Sequence, residues 1–229
     1  KTNIEGTYNI LEESLSYWKK NNRNKNFRFL HVSTDEVYGS LGEVGKFDES
    51  SPYLPNNPYS ATKASSDLIV RSWNQTYNFP SIISNCCNNY GPRQNLEKLI
   101  PRTIDSGINK KMITLYGDGS NIRDWLHVDD HVDALNVLIE RAPGGSRFNI
   151  GGGEEKSNIQ ISRLICNCLD RKFPNRAPHY NPIKFEQDRL GHNVCYAVDV
   201  DVIIKSLNIK PKISFYDGFK ETEIGIPKP

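Results

Sequence analysis

Phe27-Arg28-Phe29-Leu30-His31-Val32-Ser33, followed at once by Thr34-Asp35-Glu36-Val37-Tyr38-Gly39, is the stretch on which the fold turns. Nearly continuous apolar residues closed by turn chemistry predict a buried strand. Upstream, Ile4, Tyr8, Leu11, Leu15 and Trp18 recur at helical spacing and form one apolar stripe, which the polar run 19–26 ends. A helix feeding a core strand belongs to the interior of an alternating α/β domain. The reading therefore predicts an earlier βαβαβ half, on the order of 80–100 residues, before Lys1.

Downstream the alternation continues. A loop rich in Gly, Asp and Pro over 35–58 leads into a helix over 59–77, with Ala61, Ala64, Leu68 and Trp73 predicted on its buried side. Strands are predicted over 81–87, 112–116 and 147–150, with an extended piece at 183–186. Asp129 is predicted to cap a helix running to Arg141, and Ser157 or Asn158 the helix carrying Ile161, Leu164, Ile165 and Leu169. Asp199 and Ser214 are candidate caps of two short final helices, stopped by Gly225 and Pro227. The fold class is α/β with a parallel sheet and flanking helices.

Composition narrows the function. The 229 residues carry 29 basic and 27 acidic side chains, a net charge of +2. That balance provides no field suited to nucleic acid as the main partner. No apolar run approaches the roughly 18–20 residues of a membrane span, and the opening residues do not read as a signal peptide. Five cysteines, an odd number with no C-x-x-C pair, suit a reducing, cytoplasmic setting. Cys166 and Cys168 lie in a helical pattern and read as small buried hydrophobes, so no metal is expected.

Two clusters carry chemistry. In open α/β sheets the carboxyl ends of strands face the ligand crevice, and Thr34-Asp35-Glu36 stand at such an end. Tyr59 and Lys63 lie four apart at a helix start, so the ammonium is expected beside the phenol, lowering its pKa toward that of a usable base. Gly39, Gly42 and Gly45 match the spacing of a dinucleotide fingerprint. Loop chemistry follows them instead of a helix, so they read as a decoy, and Gly151-Gly152-Gly153 reads as a turn.

These clusters, with Asn3-Ile-Glu-Gly-Thr7, Pro58-Tyr-Ser-Ala-Thr-Lys-Ala64, Asn88-Asn-Tyr-Gly-Pro92, Glu97-Lys-Leu-Ile-Pro101, Ile122-Arg-Asp-Trp-Leu126 and Asn149-Ile-Gly-Gly152, resemble the nucleotide-sugar 4,6-dehydratases of the extended short-chain dehydrogenase/reductase superfamily. Asp188-Arg189 and Gly191-His192 extend the resemblance toward the C-terminus. The resemblance implies a partial NAD-binding Rossmann domain over 1–90. A smaller α/β domain for the nucleotide sugar would follow over 91–229, with some segments returning to the Rossmann sheet.

It further implies dTDP-glucose as substrate, with UDP-glucose or a non-catalytic nucleotide-sugar-binding role as alternatives. Tyr59 and Lys63 would serve oxidation at C4, Glu36 would remove the C5 proton, Asp35 would protonate the leaving C6 hydroxyl, and Thr34 would bind near O4. Thr2 and Asn89, with Tyr59 and Lys63, would contact NAD. Asn88, Lys98, Leu99, Thr114, Tyr116, Arg123, Asn158, Asp188, Arg189 and His192 would hold the substrate. The opening helix and the Tyr59 helix resemble a pair that builds a four-helix homodimer interface. Relatives usually have an aromatic-Gln-Phe-Pro run where this chain has Arg93-Gln94-Asn95-Leu96, and Pro at Thr114. Without the predicted upstream half, these residues alone are expected to bind NAD poorly and to be inactive.

Overall fold

The computed structural model describes residues 1–42, 45–180, 183–188, 191 and 195–224. Its first sheet is parallel, in the order β1 (Phe29–Thr34), β2 (Ser81–Cys86), β6 (Arg147–Ile150). Register runs from Phe29 opposite Ser81 to Thr34 opposite Cys86, and from Ile83 opposite Arg147 to Cys86 opposite Ile150. Parallel neighbours need crossover connections. The helix α2 (Pro58–Tyr77) lies in the connection from β1 to β2, and α4 (Val128–Arg141) in that from β2 to β6.

All six residues of β2 are buried, because helices cover both faces of this central strand. On one face Ile83 packs with Leu11, Leu15 and Trp18 of α1 (Thr7–Lys20), with Val70 of α2 and with Phe79. On the other, Ile82 and Cys86 pack with Ala134 and Leu138 of α4 and with Phe148 and Ile150 of β6. The strand β1 is less enclosed than expected, and Val32 is 43% exposed. Among the described residues it has a strand neighbour on one side only.

A second layer builds the other wall of the molecule. The strand β5 (Ile122–His127) pairs with β3 (Asn88–Tyr90), β7 (Glu155–Ser157) and β9 (Cys195–Tyr196), while β4 (Ile113–Tyr116) pairs in parallel with β8 (Ile183–Glu186). The helices α3 (Leu99–Ile108) and α5 (Asn158–Lys172) pack through Ile100, Ile104, Ile161, Ile165 and Leu169. Two short helices, α6 (Asp201–Leu207) and α7 (Phe215–Ile224), close the chain. No helix among the described residues is long and apolar enough to cross a membrane.

Caps confirm part of the expectation and correct the rest. Ser157 caps α5 in a reciprocal box with Gln160. Ser214 accepts from the backbone N–H of Asp217 at 3.2 Å, whereas Val200 holds the cap position of α6 and Asp199, one residue earlier, accepts from the backbone N–H of Asp201 at 2.7 Å. The cap of α4 is His127, whose ring nitrogen accepts from the backbone of Asp129, so Asp129 lies in the first turn instead. Gly225 and Pro227 lie outside the described residues. Cys166 and Cys168 are buried in α5, as their pattern predicted.

The buried side of α2 is the largest correction. Leu68 is 54% exposed and Trp73 only half-buried, while Ser60, Ala64, Asp67 and Val70 face inward. The inward stripe is polar because Asp67 anchors a network. Its carboxylate accepts from Tyr53 Oη at 2.8 Å, from Asn85 Nδ2 at 3.0 Å and pairs with His31 Nε2 at 3.0 Å. Asn85 Nδ2 also donates to the carbonyl of Thr34. Hydrogen bonds repay the burial of that carboxylate and tie α2 to the ends of β1 and β2. Helical periodicity counts apolar residues, so it cannot see such a face.

Candidate active site

The turn after β1 and the start of α2 form one wall of a cleft of about 580 Å³; β3, α3, the end of β4, β5 and the start of α5 form the other. At the end of β1 the chain turns through one 3₁₀ turn, Asp35–Tyr38, capped by Thr34, whose Oγ1 accepts from the Glu36 backbone N–H at 3.3 Å. That turn separates the two adjacent carboxyls. Glu36 lines the cleft, whereas Asp35 lies just behind the wall and is 1% exposed.

The environments split their chemistry. Burial first, then the negative charges of Cys86 and Glu36, hold the Asp35 carboxyl well above the usual range, against a hydrogen bond from Thr34 Oγ1 at 3.2 Å. Burial also raises the Cys86 thiol, but hydrogen bonds from Cys87 and His131 outweigh it and bring it down to about 6. Burial thus biases Asp35 toward its protonated form, and its buried Oδ2 has no protein partner among the described residues. Two neighbouring carboxyls in unlike environments can divide acid and base work between them.

Tyr59 lines the same wall at the first turn of α2 and is 53% exposed. The expected phenol–ammonium pair with Lys63 is not formed. Lys63 Nζ donates to the Val32 carbonyl of β1 at 2.8 Å, and burial lowers its pKa. Burial, with the charges of Glu36 and Asp35, raises the Tyr59 phenol instead of lowering it. The i to i+4 spacing does place both residues on one helical face. The strand-end carbonyl, invisible to that spacing, is what captures the ammonium.

Of the residues expected around the ligands, Asn88, Asn89, Lys98 and Leu99 line the opposite wall, as do Tyr116, Arg123 and Asn158. Arg123 is 3% exposed and donates to its neighbour's carbonyl, that of Ile122, at 2.7 Å. Thr114 is not a lining residue; its carbonyl accepts from Arg102 at 2.9 Å. Asp188 packs against Gly117 beside the cleft. Thr2 stands in a separate turn ahead of α1. Arg189 and His192 lie outside the described residues.

Sequence reasoning missed Asn57, Gln94, Arg102 and Trp125, all of which line the cleft. Arg102 follows the expected Leu99 by three residues and so shares its helical face once α3 forms. The helix itself was not anticipated. The glycine readings hold: Gly39 lies in a turn at φ +96°, with no helix opening after Gly45. Gly151–Gly153 form a turn whose backbone N–H groups, at Gly152 and Glu154, donate to the buried Asp124 carboxylate at 3.0 and 2.9 Å. A side chain at Gly152 would run into the Trp125 carbonyl.

A crossover-connected parallel sheet with an acid pair and a Y-x-x-x-K helix at its ligand-facing ends defines a class, and comparison with known proteins places the chain within it. A family model described as GDP-mannose 4,6 dehydratase matches residues 1–222, and the chain belongs to that family. It is 45% identical over 224 residues to a probable dTDP-glucose 4,6-dehydratase of Sinorhizobium fredii, and 45% identical over 233 residues to a dTDP-glucose 4,6-dehydratase of Escherichia coli. Each match covers 97% of this chain and 64% of the relative. The crystal structure of dTDP-glucose 4,6-dehydratase from Bacillus anthracis in complex with NAD superposes with a TM-score of 0.85 at 39% identity, covering 96% of this chain and 66% of that one. The chain thus spans just under two thirds of the length of the relatives it matches.

Proposed function

We propose that the protein carrying this chain is an NAD-dependent nucleotide-sugar 4,6-dehydratase acting on dTDP-glucose, with these residues providing the acid–base groups and most of the nucleotide-sugar cleft. The observation that carries the reading is the placement of two adjacent carboxyls in unlike surroundings, Asp35 buried with its pKa pushed up and Glu36 lining the cleft. Loss of water across C5 and C6 needs one group to take a proton and another to give one. The family description names GDP-mannose, while the relatives just described are named for dTDP-glucose. Asp35 stands where GDP-mannose enzymes generally have Ser, which favours dTDP-glucose.

The residues present fit NAD on one observation. Lys63, held at the strand end by the Val32 carbonyl, keeps two further N–H donors, and Tyr59 presents its hydroxyl at the cleft. Bound NAD supplies oxidation at C4 and its reversal at C6. The chain moves the protons. Tyr59, at the cleft, takes the proton of the C4 hydroxyl. Thr34 orients O4, Asp35 gives its proton to the departing C6 oxygen, which leaves as water, and Glu36 takes the C5 proton and returns one to C5 once C6 is reduced. Lys98 and Arg123, with Arg102, answer the pyrophosphate charge.

The division near residue 90 belongs to the same proposal, with β6 as the segment that returns to the first sheet. So does a cytoplasmic setting, supported by five unbridged cysteines. A homodimer is proposed across the outer seam of α1 and α2. There Tyr8 meets Trp73 edge-on at 5.4 Å, and Leu68 is exposed. Leu11 and Leu15 belong to the internal core and take no part.

The test is turnover of dTDP-glucose and, separately, UDP-glucose to a 4-keto-6-deoxy sugar by the protein as its gene encodes it. Turnover of dTDP-glucose that disappears in Tyr59→Phe is expected. Preference for UDP-glucose would remove the base assignment, and no turnover of either would remove the reading.

A further inference from the structure

Asn57 stands immediately before the Pro58-Tyr59 start of α2 and lines the cleft beside Glu36. Its side chain makes two hydrogen bonds with opposite ends. Oδ1 accepts from the Ser60 backbone N–H at 2.9 Å, and Ser60 Oγ accepts in turn from the Asn57 backbone N–H at 3.3 Å, closing a reciprocal cap on the helix. Nδ2 donates to Glu36 Oε2 at 3.4 Å. The orientation of the amide is not arbitrary. A backbone N–H can only donate, so the atom facing Ser60 must be the oxygen, and the NH₂ group is thereby turned to Glu36.

The backbone just before this residue is also closely approached. Gly191, at φ +70°, lies so close that any side chain there would run into the Asn56 carbonyl and come within 3.6 Å of Asn57 Cβ. Only glycine allows that approach and that backbone angle together. The Asn57 side chain is thus held between its own helix and the strand-end turn, with Gly191 packed against the Asn56 carbonyl beside it. Its Nδ2 is the side-chain donor that reaches the Glu36 carboxylate among the described residues.

We infer that Asn57 is a positioning residue for proton removal at C5: one amide caps the helix that carries Tyr59 and, through its other end, aims the Glu36 carboxylate into the cleft. The inference rests on the dehydratase reading above. It separates two roles that one residue fills, because the cap needs only an acceptor whereas the aiming needs a donor. Ser is as good a helix cap as Asn but does not extend an NH₂ group to Glu36. Asp keeps the acceptor and sets a like charge beside Glu36.

The experiment follows deuterium entering C5 of a dTDP-4-keto-6-deoxy sugar in D₂O, by mass spectrometry. The ketone already acidifies C5, so the exchange reports the base alone. Ligand affinity and melting temperature are measured on the same samples. Asn57→Ser is expected to slow exchange roughly 10- to 100-fold, the loss of one hydrogen bond to a charged acceptor, with affinity and melting temperature unchanged. Asn57→Asp is expected to slow it further, and Asn57→Ala to lower the melting temperature as well.

Wild-type exchange in both Asn57→Ser and Asn57→Asp, with Glu36→Gln inactive, would overturn the inference and leave the dehydratase reading standing. So would a loss of exchange that only tracks a fall in melting temperature across the three variants. Exchange that is absent from the unsubstituted protein, or undiminished in Glu36→Gln, would overturn the reading and the inference with it.

Discussion

The two walls of the cleft handle charge in opposite ways. On the strand-end wall, Asp35 and the Asp67 network are buried, and each carboxyl is either pushed toward its protonated form or surrounded by hydrogen-bond donors. On the wall built by α3 and β5, cations gather at the cleft, with Arg123 buried and Lys98 59% exposed beside Glu97. The first wall is organised to move protons, where low dielectric shifts pKa values. The second is organised to hold an anion, where full charges must stay available. Substitutions on the first wall should therefore act on rate or stability, and those on the second on affinity.

The sharpest way to break that contrast is Asp35→Asn. Turnover is expected to fall roughly 10²- to 10⁴-fold, the usual contribution of a positioned general acid, with substrate affinity kept. Stability should move the other way. A carboxyl whose pKa is raised by folding costs stability as pH climbs from about 4, its ordinary value, to the raised folded value. The amide has no such slope. Urea titrations between pH 4 and 8 should show the wild type losing ground relative to Asp35→Asn as pH rises. Parallel curves would mean that Asp35 is not held neutral.

Beneath that wall, Asp67→Ala removes the acceptor shared by Tyr53, Asn85 and His31. It is expected to destabilise by about 3–5 kcal/mol, as when one member of a buried charged network is lost. Asp67→Asn should cost less, because it keeps the shape and one acceptor. Denaturant midpoints at unchanged slope would measure both.

Across the cleft, Arg123→Lys should raise KM roughly 10- to 100-fold through the lost forked contact, leaving kcat near wild type. A fall in kcat alone would blur the distinction between the walls. The smallest effect is expected from Lys98→Ala, roughly a two- to fivefold rise in KM that fades as salt is added, as befits an exposed charge.

Much of this was legible along the chain. The strand at Phe29–Thr34, its acid pair and the Tyr59 helix follow from runs, periods and turn chemistry that each involve near neighbours in sequence. So do the caps at Ser157 and Ser214. The helix Leu99–Ile108 was missed because its start carries no side-chain cap, and Gly107 sits near its end. The inward face of α2 was misread because its buried members are Ser60 and Asp67, polar residues whose partners lie on β1, β2 and the loop at Tyr53.

What the sequence by itself determined is the alternation of elements and the identity of the groups at the ligand-facing ends. Both depend on local spacing and on the rule that strand ends face a crevice. What only the tertiary structure decided is how those groups are paired: Lys63 with the Val32 carbonyl instead of Tyr59, Asn57 with Glu36, and Asp35 sealed away while Glu36 is left at the cleft. Each of these turns on burial, or on a partner some 20 to 30 residues away along the chain. Protonation follows the surroundings that folding creates, and those surroundings are assembled across the chain.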